Sequence, residues 1–447
     1  MFHSVLIANR GEIACRIIRG CRALGIRAVA VHSEADVDWP HVREADEAIP
    51  IGPAPARDSY LAPARVLEAA RAGRVEAIHP GYGFLSENWR FAKACEEAGF
   101  VFVGPPWRVI QQMGDKIQAR WLMAAAGVPV VPGSDGALET IERATELAGQ
   151  IGYPVMLKAA AGGGGIGMVR VAEAAGLAAA FATAQRRAQA AFGSAALFVE
   201  RYLDRPRHIE VQVFGDRDGH VVHLHERECS IQRRHQKLLE ESPAPGLDPA
   251  LKERLTTAAV AGARAVGYVN AGTMEFIVQG QDAYFLEMNT RLQVEHPVTE
   301  EVTGLDLVSA QLRVAAGERL PWAQEEIPQR GAAIECRIYA ENPARGFMPS
   351  PGRIARLILP VGPGVRLECG VAEGVEVSVH YDPLLAKLIA WGSSREEARA
   401  RMEAALGAVV VEGVATVIPF HRRVLQSAAF REGRVHTQMV EEGAFNG

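Results

Sequence analysis

A chain of 447 residues has room for about three domains at the usual ~150 residues each, which excludes a single small binding module. Its hydrophobic fraction of 48% and charged fraction of 23% are those of a globular protein with a sizeable core, which excludes wholesale disorder. Lys and Arg total 48 against 53 Asp and Glu, a net charge of −5, so no global basic field exists for a phosphate backbone and no nucleic-acid partner is expected.

The six cysteines are scattered without a CxxC pair, which predicts neither a zinc site nor a disulfide framework and fits a reducing cytosol. Met1-Phe2-His3-Ser4 leads directly into a short apolar strand, unlike a signal peptide, and no apolar run reaches the ~18 residues of a membrane span. A cytoplasmic protein with no membrane association is expected.

Val5 to Ala8 reads as a buried strand, and Asn9-Arg10-Gly11-Glu12 breaks it. Ile13, Ile17, Ile18, Cys21 and Leu24 then recur at helical spacing up to Gly25, and Ala28 to Val31 resumes as strand. The same order returns from Val75 through His79-Pro80-Gly81-Tyr82-Gly83 to a helix at Phe91–Ala98 and a strand at Phe100–Val103. This alternation predicts a parallel, doubly wound α/β sheet in roughly the first hundred residues. No GxGxxG opens its first helix, so a dinucleotide site is not supported.

After the proline-punctuated stretch Val128–Gly133 comes a small α/β unit. It has a strand ending at Lys158, a glycine run, a second strand, an alanine-rich helix from Leu177 to Ala191 and a strand at Leu197–Glu200. An insert of this kind can act as a mobile lid. From Arg205 the pattern becomes alternating: Ile209, Val211 and Val213 on one face, His208, Glu210 and Gln212 on the other. The remainder is expected to be one large mixed α+β domain, with Arg431–Gly447 a polar, uninformative tail.

Ala161-Gly162-Gly163-Gly164-Gly165-Ile166-Gly167 follows the strand that carries Lys158. Such a loop lets backbone N–H groups close over phosphate oxygens, although a flexible hairpin tip explains a glycine run equally well. A hairpin is predicted over Gly272–Val278 and Tyr284–Asn289, and symmetric pairing about residue 281 would set Glu275 opposite Glu287. Directly opposed carboxylates destabilise a sheet unless a cation lies between them, and rigid oxygen ligands suit Mg²⁺; a slipped register or solvent-facing acids would remove the site. Beyond the hairpin, Glu287, Asn289, Arg291, Gln293 and Glu295 fall at every second position, so an extended chain would line them on one face, with Glu295 beside Arg291 as base and anion clamp. The charged run Glu226–Lys237 also fits an anionic substrate, though taken alone such a run is usually a solvated face. Arg337, with Glu335 and Tyr339 on one face of a strand, is by base rate an ion-pair partner.

Four segments, Ile7–Ala14, His79–Glu87, Arg233–Lys237 and Glu287–Glu300, closely resemble biotin carboxylase, a family of the ATP-grasp superfamily, and the likeness spans essentially the whole chain. The resemblance implies an N-terminal domain over 1–115, an ATP-grasp lid with linker over 116–203 and an ATP-grasp core with C-terminal domain over 204–447. It implies ATP- and bicarbonate-dependent carboxylation of biotin N1 on a biotin carboxyl carrier protein through carboxyphosphate. That would be the first half-reaction of an acetyl-CoA or acyl-CoA carboxylase, as in fatty acid biosynthesis, with carboxyltransferase subunits as partners and the chain as a homodimer. By position, Lys116, Lys158, Gly163, Gly164, Gly165, Glu200, Leu203, His208, Gln232 and His235 match ATP contacts. Glu275, Glu287 and Asn289 match the Mg²⁺ or Mn²⁺ site. Glu295 matches the base for bicarbonate, with Lys237, Arg291, Gln293 and Val294 around the anion; Arg337 matches the residue that steadies the biotin enolate, and Tyr82 lies where the biotin ring approaches.

Ala161 and Ile166 stand where the family usually has glycine and a basic residue, and Arg201 where lysine is frequent. No Met-Lys-Met biotinyl segment is present, so biotin is expected on another chain or another part of a longer protein. Another ATP-grasp ligase would share the metal pair and lid but not Arg291 to Glu295 together with Arg337, and a regulatory nucleotide-binding protein without turnover has only Ile166 in its favour.

Overall fold

The computed structural model describes residues 1–160 and 168–446. Ala161–Gly167, and with it the expected contacts of Gly163, Gly164 and Gly165, lies outside the described residues.

Five strands, β1 (Ser4–Ile7), β2 (Arg27–His32), β3 (Glu47–Pro50), β4 (Ala77–His79) and β5 (Val101–Phe102), form an all-parallel sheet in the order β3-β2-β1-β4-β5. Val5, Leu6 and Ile7 are all fully buried because both faces of this sheet are covered, which is why β1 reads as a continuous apolar run. The strand order reverses between β1 and β4, the point where doubly wound sheets open a crevice at the carboxyl ends of their strands. The turns Asn9–Glu12 and His79–Gly83 emerge there and are locked together: the Asn9 amide donates to the carbonyls of Pro80 and Tyr82, both at 2.7 Å. Gly81 has a φ of +62°, and a Cβ on it would stand 2.9 Å from Asn9 Nδ2, so this meeting of two turns requires glycine.

A smaller antiparallel sheet, β7-β6-β8, is made by β6 (Val155–Ala159), β7 (Val169–Val171) and β8 (Leu197–Arg201) and is backed by helices Ile141–Ile151 and Leu177–Phe192. Its core is its own, with Val155, Leu157, Phe181, Ala184, Leu197 and Val199 packed together. By contrast, Ala119 and Met123, on the helix Lys116–Ala125, pack with Val211 and Met274 of the body.

The body is one eight-stranded antiparallel sheet. It contains β9 (Arg207–Gly215), β10 (Val221–Arg233), β11 (Gln236–Ser242), β12 (Asn270–Gln279), β13 (Asp282–Asn289) and β14 (Ala332–Tyr339), then strands Leu384–Gly392 and Val365–Cys369. The sheet order is β13-β12-β9-β10-β11-β14 followed by those two strands. The alternation read in β9 holds: Ile209, Val211 and Val213 enter the core on one side, while His208 and Gln212 are buried polar residues on the other. The tail is not the featureless segment expected. Val435, Met439 and Phe445 enter a core with β14, and Gln438 donates to the Tyr202 hydroxyl at 2.9 Å, bringing the tail to the mouth of the cleft. Among the described residues no helix is long and apolar enough to cross a membrane, and all six cysteines are free thiols.

Candidate active site

Between the small sheet and the body lies a cleft of about 1170 Å³. It is lined by every described residue that the family resemblance matched to a site: Tyr82, Lys116, Lys158, Glu200, Leu203, His208, Gln232, His235, Lys237, Glu275, Glu287, Asn289, Arg291, Gln293, Val294, Glu295 and Arg337.

The hairpin register sets Glu275 opposite Glu287, though not by simple symmetry. The turn pairs Gln279 with Asp282 and Phe276 with Phe285, a register one residue off the expected one; an irregularity after Glu275 then leaves Leu286 unpaired and restores the two acids to facing positions. Glu275 is tied on all sides. Its Oε1 accepts from Asn289 Nδ2 at 2.8 Å, Lys237 Nζ at 2.8 Å and Gln293 Nε2 at 3.0 Å, and Oε2 lies 2.9 Å from His208 Nε2. Burial would raise its pKa, but Lys237 and His208 hold it well below the ordinary value. Glu287 opens into the cleft, and its pKa is raised first by the surrounding protein and then by the charge of Glu275. A carboxylate facing a like charge, with no cation bonded to it among the described residues, beside an amide oxygen at Asn289, is a donor set suited to a hard divalent ion.

The extended 287–295 face expected from spacing does not form. β13 ends at Asn289, the chain turns through 290–295, and Glu295 stands immediately before the helix His296–Thr303 without a side-chain bond to its N–H groups. The turn brings the same polar side chains into the cleft with different partners. Arg291 does not clamp Glu295 directly: its Nε donates to Glu87 Oε2 at 2.9 Å and its Nη2 to Asn289 Oδ1 at 2.8 Å, while Glu87 Oε1 also accepts from the Thr290 N–H at 3.1 Å. The cations on Glu295 are Lys237, at 2.5 Å from Oε1, and Arg337, at 2.9 Å from Oε2. Burial opposes ionisation of Glu295, but Lys237, Arg337 and Arg227 overcome it and hold the carboxyl far below its usual range.

Lys237 is the hub, with Nζ also 2.5 Å from Glu210 Oε2 and 3.0 Å from Gln293 Oε1. Behind it Arg227, wholly buried, pairs with Glu210 and donates to Gln212 at 2.8 Å, Thr299 at 2.9 Å and Thr273 at 3.1 Å. The charged run Glu226–Lys237 is therefore mainly interior: Glu226, Arg227, Glu228, Gln232 and Lys237 are buried and only Arg234 and His235 are exposed. Arg337 is gripped from behind by Glu240, 2.6 Å from its Nε. Burial raises the Glu240 carboxyl to about 7 against the opposing pull of Arg337. On the small sheet Lys158 pairs with Glu200.

Glu87, Glu210, Arg227 and Glu240 were not singled out as site residues. The one signal for Glu210 was its place between His208 and Gln212 on the polar face of β9; Glu87 and Glu240 act through contacts far away in the chain, which periodicity does not reveal.

A nucleotide-sized cleft roofed by a small three-stranded sheet and floored by facing acids on an antiparallel sheet is the architecture of an ATP-grasp ligase. Family profiles agree in chain order: "Biotin carboxylase, N-terminal domain" matches residues 1–110, "Carbamoyl-phosphate synthase L chain, ATP binding domain" residues 115–323 and "Biotin carboxylase C-terminal domain" residues 335–442. The chain is 56% identical to a biotin carboxylase of Halalkalibacterium halodurans over 98% of its own length and 97% of that protein's. It is 53% identical to a pyruvate carboxylase subunit of Methanothermobacter thermautotrophicus over 99% and 90%. Among solved structures, the biotin carboxylase domain dimer of the Hydrogenobacter thermophilus 2-oxoglutarate carboxylase, in complex with MgADP, ADP and bicarbonate, matches with a TM-score of 0.94 at 48% identity, covering 100% of this chain and 99% of that one. The chain belongs to the biotin carboxylase family and is an ATP-dependent carboxylating ligase.

Proposed function

We propose that this chain carboxylates biotin N1 on a biotin carboxyl carrier protein, using ATP and bicarbonate, and hands the carrier to the carboxyltransferase of an acetyl-CoA or other acyl-CoA carboxylase. The observation that carries the reading is Glu295, an ionised, buried carboxylate held between two cations in a cleft that Lys158 and Glu200 of the small sheet also line. Magnesium, when bound by Glu275, Glu287 and Asn289, neutralises phosphate charge. Lys116, Lys158, Glu200, Leu203, His208, Gln232 and His235 bind the nucleotide, and lid closure excludes water from a short-lived carboxyphosphate.

Bicarbonate enters among Lys237, Arg291, Gln293 and Val294 and competes with Glu295 for the ammonium of Lys237. As that ion pair loosens, the basicity of Glu295 rises and it takes the bicarbonate proton, leaving an anion to attack the terminal phosphoryl group. The attack expels ADP and gives carboxyphosphate, which splits into CO2 and phosphate; the phosphate takes the N1 proton of biotin, and Arg337, retained by Glu240, turns from Glu295 to the ureido oxygen beside Tyr82, where its charge stabilises the enolate that adds to CO2. Bounds of 1–115, 116–203 and 204–447 for the three domains, a homodimer and a cytoplasmic location belong to the same proposal.

The test is ATP hydrolysis with and without bicarbonate and free biotin. Dependence on both supports the reading; ATP binding without turnover favours a regulatory nucleotide-binding role. Reconstitution with carrier and carboxyltransferase, offering acetyl-CoA against a keto acid and following labelled bicarbonate into product, identifies the acceptor.

A further inference from the structure

The Asn9–Glu12 motif has so far no part in the chemistry beyond shaping a turn. Glu12, on the first turn of the helix Gly11–Ala23, is buried and directs its carboxylate toward the body sheet, where Oε1 lies 3.2 Å from Lys387 Nζ. The Lys387 side chain is fully buried, and its ammonium also donates to the backbone carbonyl of Val294 at 2.7 Å and stands 5.9 Å from the centre of the Tyr82 ring. In the sheet Lys387 lies directly opposite Arg337 on one neighbouring strand and Glu368 on the other. A buried ammonium is retained only where charges and carbonyls replace its water, and this one has been given one contact from each part of the site.

Val294 carries the peptide that leads into Glu295. The preceding carbonyl, of Gln293, accepts from His296 Nδ1 at 2.7 Å and from the His296 backbone N–H at 3.3 Å. Burial, then the charges of Lys387, Arg16 and Arg366, hold the His296 pKa well below its ordinary value, so the ring is neutral with its proton on Nδ1. Because a trans peptide sets N–H and C=O on opposite sides, the Val294 N–H points away from His296, and Val294 itself lines the cleft. His296 and Lys387 thus hold the two consecutive peptide planes that flank Val294 from behind.

We propose that Lys387 is a positioning residue for the bicarbonate step: by holding the Val294 carbonyl against Glu12 it fixes the peptide that carries Glu295 and ties it to the N-terminal domain. This rests on the proposed function, since the peptide matters only if Glu295 and Val294 receive bicarbonate. Losing one charge-assisted hydrogen bond to that peptide should raise the bicarbonate KM about tenfold.

The test compares wild type, Lys387→Met and Lys387→Met/Glu12→Gln by steady-state ATP hydrolysis, varying bicarbonate and ATP in turn, together with Tm. The single variant leaves a buried acid without its cation and is expected to lose stability; the double variant removes the acid as well and should recover Tm. A positioning role requires that the bicarbonate KM stay raised in the double variant, with the ATP KM unchanged. If the bicarbonate KM returns to the wild-type value along with Tm, Lys387 is only a structural ion-pair partner and the proposal is overturned. Should Lys387→Met not fold, the double variant decides alone by the same criterion. A wild type whose ATP cleavage ignores bicarbonate would overturn the proposed function itself; a responsive wild type with unaffected variants overturns only the role of Lys387.

Discussion

The two walls of the cleft handle charge in opposite ways. On the body side Lys237, Glu210, Glu275, Glu295, Arg227 and Arg337 are buried and satisfy one another through short bonds across β9, β10, β11, β12 and β14. On the lid side Lys158 is half-buried, and its sheet has a core of its own, separate from the body's. A network fixed before substrate arrives needs little reorganisation during reaction, whereas lid groups keep their water until closure. Substitutions in the body wall should therefore alter chemistry and stability together, and substitutions in the lid should alter nucleotide affinity alone.

The largest effect is expected from Glu295→Gln. The amide keeps the shape but cannot take a proton, so bicarbonate-dependent ATP cleavage should fall by about 10²–10⁴, while ATP binding, measured at equilibrium, persists. Equal activity would remove Glu295 from the base role.

Arg337→Ala comes next and should separate the half-reactions. Carboxybiotin formation should drop roughly 10²–10³ with a smaller loss of bicarbonate-dependent ATPase, because the developing charge on biotin loses its donor. Parallel loss of both, with a fallen Tm, would mark Arg337 as mainly the partner of Glu240.

The facing acids sharpen the comparison within one wall. Glu287→Gln should raise the Mg²⁺ concentration needed for half-maximal activity about tenfold at nearly unchanged Tm. Glu275→Gln should raise it too and also lower Tm, since it loosens Lys237, His208, Asn289 and Gln293 at once. Unchanged metal dependence in both variants would refute the cross-strand metal site.

For the lid, Lys158→Ala should raise the ATP KM about tenfold with Tm held. A large drop in Tm would show that the Lys158–Glu200 pair is structural.

The smallest effect concerns pH. Burial raises the Glu12 carboxyl to about 7, outweighing Lys387, which lowers it. The unfolded chain releases this proton near ~4.3 and the folded chain retains it to higher pH. The stability this group contributes is thus complete below the unfolded value and is lost as pH rises through the folded one. Glu12→Gln should flatten Tm against pH over that window; an unaltered profile would show that Glu12 is ionised throughout.

Much of the fold was legible because buried strands and amphipathic helices impose local periods: the parallel N-terminal sheet, the lid elements and the alternating face of β9 stand where spacing put them. The facing of Glu275 and Glu287 was legible too, since a two-stranded hairpin is local. Its register nevertheless depends on an irregularity at Leu286 that arithmetic about the turn did not contain.

What only the tertiary structure decided is who partners whom. Alternation from Glu287 to Glu295 described a strand, but the chain turns after Asn289 and Glu295 leads into a helix, so proximity in sequence paired it with Arg291 while packing gave it Lys237 and Arg337. The run Glu226–Lys237 looked like a solvated face because composition cannot tell that Arg207 and Glu210 of β9, Glu275 of β12 and Glu295 supply its counter-charges. The tail looked polar because three apolar anchors, Val435, Met439 and Phe445, are too widely spaced to form a periodic signal. Sequence by itself determined most of the elements and which polar side chains gather in the cleft, since those depend on local period and residue type. The distribution of charge among those side chains came from contacts between residues as far apart as Glu12 and Lys387, and only the folded chain brings those together.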